Sequence, residues 1–178
     1  GQDGAYLSKL LLSKGYKVFG TYRRVSTPNF WRLQSLGVFD KINLISADLL
    51  DMSSLLEALK ISDPDEVYNL AAGSFVATSF EEAVGNSEIT GQSVTKFLEA
   101  IRHQSSKIKF YQASSSEMYG DNNFKSQNEK TPFSPSSPYA AAKLYAHTIT
   151  NIYRKSYGIF ACTGILFNHE SPLRGLEF

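Results

Sequence analysis

The fold is decided by the stretch Ser137-Pro-Tyr-Ala-Ala-Ala-Lys-Leu-Tyr-Ala-His-Thr-Ile-Thr-Asn-Ile-Tyr-Arg-Lys-Ser-Tyr157 and the residues after it, Gly158-Ile-Phe-Ala-Cys-Thr-Gly-Ile-Leu-Phe167. The first part is predicted to form a helix from Tyr139 to about Tyr157. The second part is mostly apolar and is predicted to form a strand. A helix that leads directly into an apolar strand is typical of a parallel sheet covered by helices.

The same alternation of helix and strand extends from this stretch back to the start of the chain. Further helices are predicted over residues 4–14, 53–60 and 79–103. Further strands are predicted at Tyr16–Tyr22, Lys41–Ser46, Asp65–Ala71 and Lys107–Ala113. Strands interleaved with helices predict an α/β fold, a Rossmann-like doubly wound parallel sheet with helices on both faces.

The two ends of the chain lack parts that such a fold needs. The glycine-rich turn at Gly1–Gly4 should follow a strand, and no residues precede it. At the other end, Leu173–Phe178 follow a loop without completing any element. We therefore expect residues 1–178 to form one Rossmann-like domain that is incomplete at both ends and lacks its first strand.

Composition and charge exclude several classes of partner. The net charge is +1, from 18 basic and 17 acidic residues, so no strong field attracts nucleic acid or an anionic membrane. No apolar run approaches the roughly 20 residues needed to span a bilayer.

The single cysteine, Cys162, lies in an apolar run and is expected to be a buried thiol in a reducing cytoplasm. No metal site is predicted.

The first four residues indicate a binding site for phosphate groups. Gly1, Gln2, Asp3 and Gly4 open the first predicted helix. Glycines there let the backbone approach a pyrophosphate, and the helix N-terminus supplies free N–H donors and a positive dipole. Two glycines three residues apart are also typical of an ordinary N-terminal turn.

Two arginines indicate which dinucleotide this site binds. Arg23 and Arg24 follow the strand predicted at Tyr16–Tyr22. A dinucleotide-binding fold usually carries an acidic residue at this place, which bonds the ribose 2′-hydroxyl. Guanidinium groups pair with a 2′-phosphate instead, so the arginines favour NADP over NAD. The alternative is a pair of solvated surface arginines.

Two later strand ends add residues to the predicted cofactor cleft. Asp48 and Leu49 follow one strand, and the Asp48 carboxylate can accept a hydrogen bond from adenine. Asp48 could equally cap the helix that follows. The next strand end carries mostly small side chains that let a ribose and phosphate approach, at Leu70, Ala71 and Ala72.

A tyrosine and a lysine at the start of the last helix are predicted to act in catalysis. Tyr139 and Lys143 are four residues apart and therefore share one helix face. A nearby ammonium favours the phenolate, which lowers the tyrosine pKa and prepares the phenol to take a hydroxyl proton. A pair at this spacing is also common in purely structural roles.

The loop after the strand at Lys107–Ala113 carries the remaining predicted catalytic groups. Ser114-Ser-Ser-Glu-Met-Tyr-Gly120 lies at the carboxyl edge, where doubly wound sheets bind their ligands. It supplies the Ser115 hydroxyl, the Glu117 carboxylate and a flexible turn at Gly120. The alternative is a polar turn with a solvated carboxylate, and the joint placement with the Tyr–Lys pair argues against it.

Together these motifs resemble the extended short-chain dehydrogenase/reductase family. The Tyr-x-x-x-Lys and Ser-Ser-Ser-Glu-x-Tyr-Gly motifs carry the resemblance to the family as a whole. Within it, the chain is similar along its whole length to the sugar-nucleotide dehydratases that act on GDP-mannose. The stretches that carry this closer similarity are Gly1–Tyr6, Tyr22–Arg24, Tyr111–Gly120, Ser137–Lys143 and Gly164–Pro172. Related glucose-nucleotide dehydratases carry Asp-Glu where this chain has Ser116-Glu117.

The resemblance implies a role for each predicted catalytic residue. Tyr139 would take the 4-hydroxyl proton while hydride leaves C4 for NADP, and Ser115 would bond the 4-oxygen. Lys143 would lower the tyrosine pKa and hold the cofactor ribose. Glu117 would remove the C5 proton of the resulting 4-ketone, water would leave from C6, and hydride would return to C6.

The resemblance also implies further binding residues. Beyond those already named, the cofactor would contact Tyr139, Lys143, Leu166, Asn168, His169 and Arg174. The substrate would contact Ser74, Ser115, Ser116, Glu117, Tyr139 and Asn168. Spacing alone would make Asn168 and His169 an ordinary loop pair. The part of such enzymes that mainly holds the GDP-sugar is expected to lie after Phe178.

The segment Arg23–Arg32 is associated in this family with contacts between subunits. The resemblance therefore implies a homo-oligomer, either a dimer or a tetramer. Phe30 and Trp31 suit such an interface, and they suit the core of a short helix equally well. Two other functions stay open, an NADP-dependent reductase or epimerase of the same family and a non-catalytic NADP-sensing regulator.

Overall fold

A computed structural model describes residues 1–105, 107–121 and 126–176 of the chain. These residues form two compact units. The first unit comprises Gly1–Ser62 and the segment from His169 onward, and the second comprises Asp63–Asn168.

The first unit combines a two-stranded parallel sheet with three helices. Its elements are α1 (Gln2–Ser13), β1 (Phe19–Tyr22), α2 (Trp31–Ser35), a 3₁₀ turn (Phe39–Lys41), β2 (Asn43–Ser46) and α3 (Met52–Ser62). β1 and β2 run parallel from the pair Phe19 and Asn43 to the pair Tyr22 and Ser46. The core of this unit is aliphatic and consists of Val18, Val38 and Ile42 with Leu11, Leu12, Leu33, Leu36 and Leu44 packed around them.

The second unit contains a three-stranded parallel sheet in the order β3-β4-β5. Its strands are β3 (Glu66–Asn69), β4 (Lys109–Ser115) and β5 (Ala161–Leu166). Its helices are α4 (Thr78–Glu81), α5 (Ala83–Asn86), α6 (Ser93–Gln104) and α7 (Pro138–Tyr157), with a π-helical turn at Ser87–Gln92 and a 3₁₀ turn at Ser116–Tyr119. Because all three strands are parallel, their carboxyl ends meet at one edge of the sheet.

Local sequence explains where α7 begins and ends. The Ser137 hydroxyl accepts a hydrogen bond of 3.1 Å from the Ala140 N–H, which caps the helix, and Pro138 occupies the first turn. Gly158 follows in the left-handed conformation, with φ 67°, and ends the helix. β5 therefore starts at Ala161, three residues after the predicted start at Gly158.

The single helix predicted over residues 79–103 is wrong, because the structure breaks it into α4, α5, the π-helical turn and α6. The side chains near the break bind the loop after β3. Asn86 donates to the Gly73 carbonyl at 2.8 Å, and the Gly73 N–H donates to the Thr90 hydroxyl at 3.1 Å. A π-helical turn widens the helix by one residue and is often found at functional sites.

Two smaller predictions also need correction. Asp48 does not cap α3, because Asp51 does so by accepting from the Ser53 N–H at 3.0 Å. Cys162 is half-buried rather than buried, since it lies on β5, which pairs only with β4 among the described strands. No helix in the described ranges is long and apolar enough to cross a membrane.

Candidate active site

The carboxyl end of β4 and the first turns of α7 bring the four predicted catalytic residues together in the second unit. β4 ends at Ser115, and the 3₁₀ turn that follows carries Glu117. The Ser115 hydroxyl accepts a hydrogen bond from the Glu117 N–H at 3.2 Å, so it caps the turn and fixes the direction of the backbone. Ser115 is buried and Glu117 is half-buried.

The turn that carries Glu117 is held by its backbone. Gly120 has φ 55°, and a Cβ atom there would collide with the Ser134 carbonyl oxygen. The Ser134 N–H donates to the Met118 carbonyl at 3.0 Å, and the buried Tyr119 hydroxyl donates to the Asn128 carbonyl at 2.8 Å. These contacts explain why the sequence has glycine at 120, and they tie Glu117 to the segment that leads into α7.

Tyr139 forms a hydrogen bond with Ser115 and lies near enough to Glu117 to be affected by its charge. Its ring is buried, and its backbone N–H donates to the Ser79 hydroxyl at 3.3 Å. Burial raises the pKa of the Tyr139 phenol, a hydrogen bond with Ser115 lowers it, and the charge of Glu117 raises it. The sequence-based prediction that these residues converge on one place therefore agrees with the structure.

Lys143 is buried one helical turn further on. Its ammonium donates to the Ala113 carbonyl at 2.8 Å and lies 5.7 Å from the centre of the Tyr139 ring. Burial lowers the pKa of Lys143 to about 8. Burial is the largest effect on the Tyr139 phenol and raises its pKa, so a lowering of that pKa by Lys143 stays a prediction.

The other predicted residues of the second unit lie at the same sheet edge. Leu166 pairs with Ser115 in the sheet, and Ser116 starts the 3₁₀ turn. Leu70 and Ala72 are half-buried after β3, whereas Ala71 and Ser74 there are exposed. Asn168 is exposed two residues after β5.

Sequence reasoning missed two buried amides behind this edge. Asn69 on β3 donates to the Gln112 side-chain oxygen at 2.8 Å, and Gln112 on β4 donates to the Ala113 carbonyl at 3.0 Å. Ala113 is the residue whose carbonyl also binds Lys143. The available signal was one side-chain amide on each of two strands, which gains meaning only when the register that pairs Asn69 with Gln112 is known.

In the first unit, the predicted phosphate-binding residues surround the start of α1. Asp3 and the His169 ring nitrogen Nε2 lie 2.7 Å apart, and Gln2 donates to the His169 carbonyl at 3.1 Å. Arg174 also donates to that carbonyl, at 2.8 Å, and pairs with Glu170. A Cβ atom at Gly1 or Gly4 would meet no other group within 4 Å, so the backbone at this helix start is open to a ligand.

The two predicted phosphate-binding arginines are exposed directly after β1. In the described part of the chain, neither Arg23 nor Arg24 makes an ion pair. Arg23 lines a pocket of about 120 Å³. Their charge is therefore available to an anion.

The sequence left open whether Phe30 and Trp31, which follow these arginines, lie at an interface or in the core of a short helix. Phe30 is half-buried and packs on Tyr22 and Phe39, with ring centres 5.2 and 5.4 Å away. Trp31 is 41% exposed, and the Arg32 guanidinium stacks on it at 4.5 Å.

The remaining predicted cofactor residues follow β2. Asp48 accepts from the Leu50 N–H at 2.9 Å and thus forms a tight turn after the strand. Leu49 is half-buried beside it.

Comparison with known proteins shows a match along the whole chain. The family model described as GDP-mannose 4,6 dehydratase matches residues 1–178. A GDP-mannose 4,6-dehydratase of Yersinia enterocolitica is 48% identical over 185 residues, which cover 100% of this chain and 50% of that protein. GDP-mannose 4,6 dehydratase 1 of Arabidopsis thaliana is 49% identical over 189 residues, which cover 100% of this chain and 52% of that protein. The chain therefore spans about half the length of the curated relatives it matches.

A solved structure with a similar fold is the dTDP-glucose 4,6-dehydratase of Bacillus anthracis in complex with NAD. It superposes with a TM-score of 0.82 at 21% identity, covering 99% of this chain and 54% of that one. This likeness and the parallel strands together confirm the predicted Rossmann-like α/β fold class.

Proposed function

The chain belongs to the GDP-mannose 4,6-dehydratase family, and we propose on that basis that the complete protein dehydrates GDP-mannose to GDP-4-keto-6-deoxy-mannose with NADP as its cofactor. The observation that carries this proposal is the grouping of Ser115, Glu117 and Tyr139, in which Ser115 and Glu117 both act on the Tyr139 phenol. A base for the hydroxyl proton and a second base for a carbon-bound proton are what an oxidation followed by an elimination requires.

The residues of the first unit fit a dinucleotide that carries a 2′-phosphate. Two exposed arginines without ion pairs in the described ranges offer forked donors for a phosphate, and the helix start at Gly1–Gly4 offers backbone N–H groups. Arg23 and Arg24 would hold the 2′-phosphate, and Gly1–Gly4 would face the pyrophosphate. When bound, NADP supplies the acceptor that takes hydride from C4 of the sugar and later returns it to C6.

Tyr139 and Ser115 would perform the first step. Ser115 bonds the 4-oxygen of the hexose, and the Tyr139 phenolate takes the hydroxyl proton as the C4–H bond breaks. Burial raises the pKa of Tyr139, which makes the phenolate a strong base once it forms. Lys143 lies 5.7 Å from the ring and keeps a positive charge beside it.

Glu117 would perform the second step. The 4-ketone makes the neighbouring C5–H acidic, and the Glu117 carboxylate removes that proton. The electron pair left at C5 forms a double bond to C6 as the C6–O bond breaks. The hydroxyl leaves C6 as water and takes the proton that Glu117 removed from C5. Hydride then returns to C6, and a proton adds to C5.

We further propose that the complete protein is a homo-oligomer whose contacts include the segment Arg23–Arg32. The exposed Trp31 with Arg32 stacked on its ring supports this, since aromatic and arginine side chains are enriched at subunit interfaces. Sedimentation of the complete protein tests it, and a strictly monomeric species would contradict it.

The direct test is incubation of the complete protein with GDP-mannose and a catalytic amount of NADP. We expect a 4-keto-6-deoxy product without net consumption of NADPH. Stoichiometric consumption of the reduced cofactor would indicate a reductase. Binding of NADP without turnover of any sugar nucleotide would indicate a regulator.

A further inference from the structure

The buried amides of Asn69 and Gln112 form a hydrogen-bonded chain that ends at Lys143. The Ala71 N–H donates to the Asn69 side-chain oxygen at 3.4 Å, and the Asn69 amide nitrogen donates to the Gln112 side-chain oxygen at 2.8 Å. The Gln112 amide nitrogen then donates to the Ala113 carbonyl at 3.0 Å, and the Lys143 ammonium donates to the same oxygen at 2.8 Å.

The direction of this chain is fixed at its start by the backbone. An N–H group can only donate, so the Asn69 oxygen must face Ala71 and its nitrogen must face Gln112. The Gln112 oxygen is thereby committed to Asn69, and its nitrogen to Ala113. The Gln112 amide consequently presents a donor, not an acceptor, to the carbonyl that Lys143 uses.

This direction limits what the Lys143 ammonium can bind. The ammonium has three N–H groups, and within the described ranges the Ala113 carbonyl is its one hydrogen-bond acceptor. A reversed Gln112 amide would offer its oxygen as a second acceptor and draw the ammonium toward the strand.

From these contacts we infer that Asn69 and Gln112 are positioning residues for the reaction, which fix the Lys143 ammonium on one side of the Ala113 carbonyl and leave its other N–H groups available. The inference rests on the proposed function in assigning Lys143 to the reaction. Asn69 and Gln112 are 3% and 1% exposed, so their effect on the reaction would act through Lys143.

The first test is a titration of the Lys143 ammonium by NMR in the complete protein with labelled lysine, assigned with Lys143→Met. Gln112→Met removes the donor that faces the Ala113 oxygen, and Asn69→Leu frees the Gln112 amide to turn its oxygen toward the ammonium. Both changes favour the charged amine, so we expect each to raise the titration midpoint of Lys143 by about half a pH unit.

Other titratable groups near this ammonium stay unchanged in both variants. Tyr139 lies under it on α7, and Glu117 on the 3₁₀ turn acts on Tyr139. His147, one turn further along α7, is 3.1 Å from the Ser114 hydroxyl.

The matched control is Thr150→Val, which removes a buried hydrogen bond of 2.7 Å to Ala146 on the same helix. It should leave the Lys143 midpoint in place. Unchanged midpoints in both test variants would overturn the inference, and a shift in Gln112→Met alone would overturn the role of Asn69. Should either variant fail to fold, Gln112→Glu keeps the side-chain shape and should raise the midpoint further, because a carboxylate then faces the ammonium.

The second test uses the rate of dehydration. Misplacement of a catalytic group lowers kcat, so Gln112→Met should lower kcat about tenfold with KM within about twofold. In a Lys143→Met background the same change should cause no further loss. An equal loss in both backgrounds would mean that Gln112 acts independently of the lysine. A wild-type protein that does not turn over GDP-mannose would refute the proposed function, and the NMR titration would still decide the positioning.

Discussion

At the scale of single residues, the proposed reaction needs two bases with different tasks. Glu117→Gln keeps the size of the side chain but removes its ability to take the C5 proton, so dehydration should fall about 10²- to 10⁴-fold. NADP affinity should not change. Product formation and cofactor binding measure the two effects, and Glu57→Gln, on the exposed face of α3, is the matched control. Full activity of Glu117→Gln would refute its assigned role.

Replacing the two neighbours of the Tyr139 phenol should shift its pKa in opposite directions. A phenol acts as a base only when deprotonated, so the rate of C4 oxidation rises with pH until the pKa of Tyr139 is passed. Ser115 lowers that pKa and Glu117 raises it. Ser115→Ala should therefore move the rising limb to higher pH, and Glu117→Gln should move it to lower pH. Single-turnover formation of reduced cofactor measures both, and shifts in the same direction would contradict the account.

The two arginines after β1 predict which cofactor binds. A charge-assisted hydrogen bond contributes about 1.5–3 kcal/mol, so Arg23→Ala and Arg24→Ala should each weaken NADP binding about tenfold or more. NAD lacks the 2′-phosphate, and its affinity should change little. Fluorescence titration with both cofactors checks this, with the exposed Lys155→Ala as control. Equal losses for both cofactors would mean that the arginines do not read the 2′-phosphate.

At the scale of elements, the turn between β4 and α7 holds Glu117, the carboxylate proposed to act in catalysis. Gly120→Ala combines a left-handed backbone with a collision against the Ser134 carbonyl, so it should lower the free energy of unfolding by about 3 kcal/mol or more. Gly37 has φ +65°, but a Cβ atom there would meet no neighbour within 4 Å, so Gly37→Ala should cost only about 1 kcal/mol. Urea unfolding of the complete protein measures both, and equal losses would refute the collision.

Local sequence predicts some element boundaries but not others. The start of α7 follows from the cap at Ser137 and Pro138, and its end follows from Gly158. The break between α4 and α6 was not predicted, and near it Asn86 and Thr90 bind the Gly73 backbone, which lies 13 and 17 residues earlier in the chain. The helical periodicity of the sequence carries no information about a contact of that kind.

At the scale of the whole molecule, the sequence predicted the class of fold and the grouping of the residues proposed to be catalytic. Both follow from parallel strands, whose carboxyl ends share one edge regardless of loop details. The balance of effects on the Tyr139 pKa could not be predicted, since it depends on how deeply the phenol is buried. The Asn69–Gln112 hydrogen bond was missed because the register that places these residues side by side on β3 and β4 cannot be deduced from the sequence.

In the proposed reaction Tyr139 and Glu117 act on one hexose beside one nicotinamide, so the hydride taken from C4 returns to C6 of the same sugar. The most direct measurement uses GDP-mannose that carries deuterium at C4, with the complete protein and NADP in ordinary water. We expect the deuterium to appear at C6 of the 4-keto-6-deoxy product. A 4-keto-6-deoxy product without deuterium at C6, or deuterium released in free reduced cofactor, would contradict this expectation.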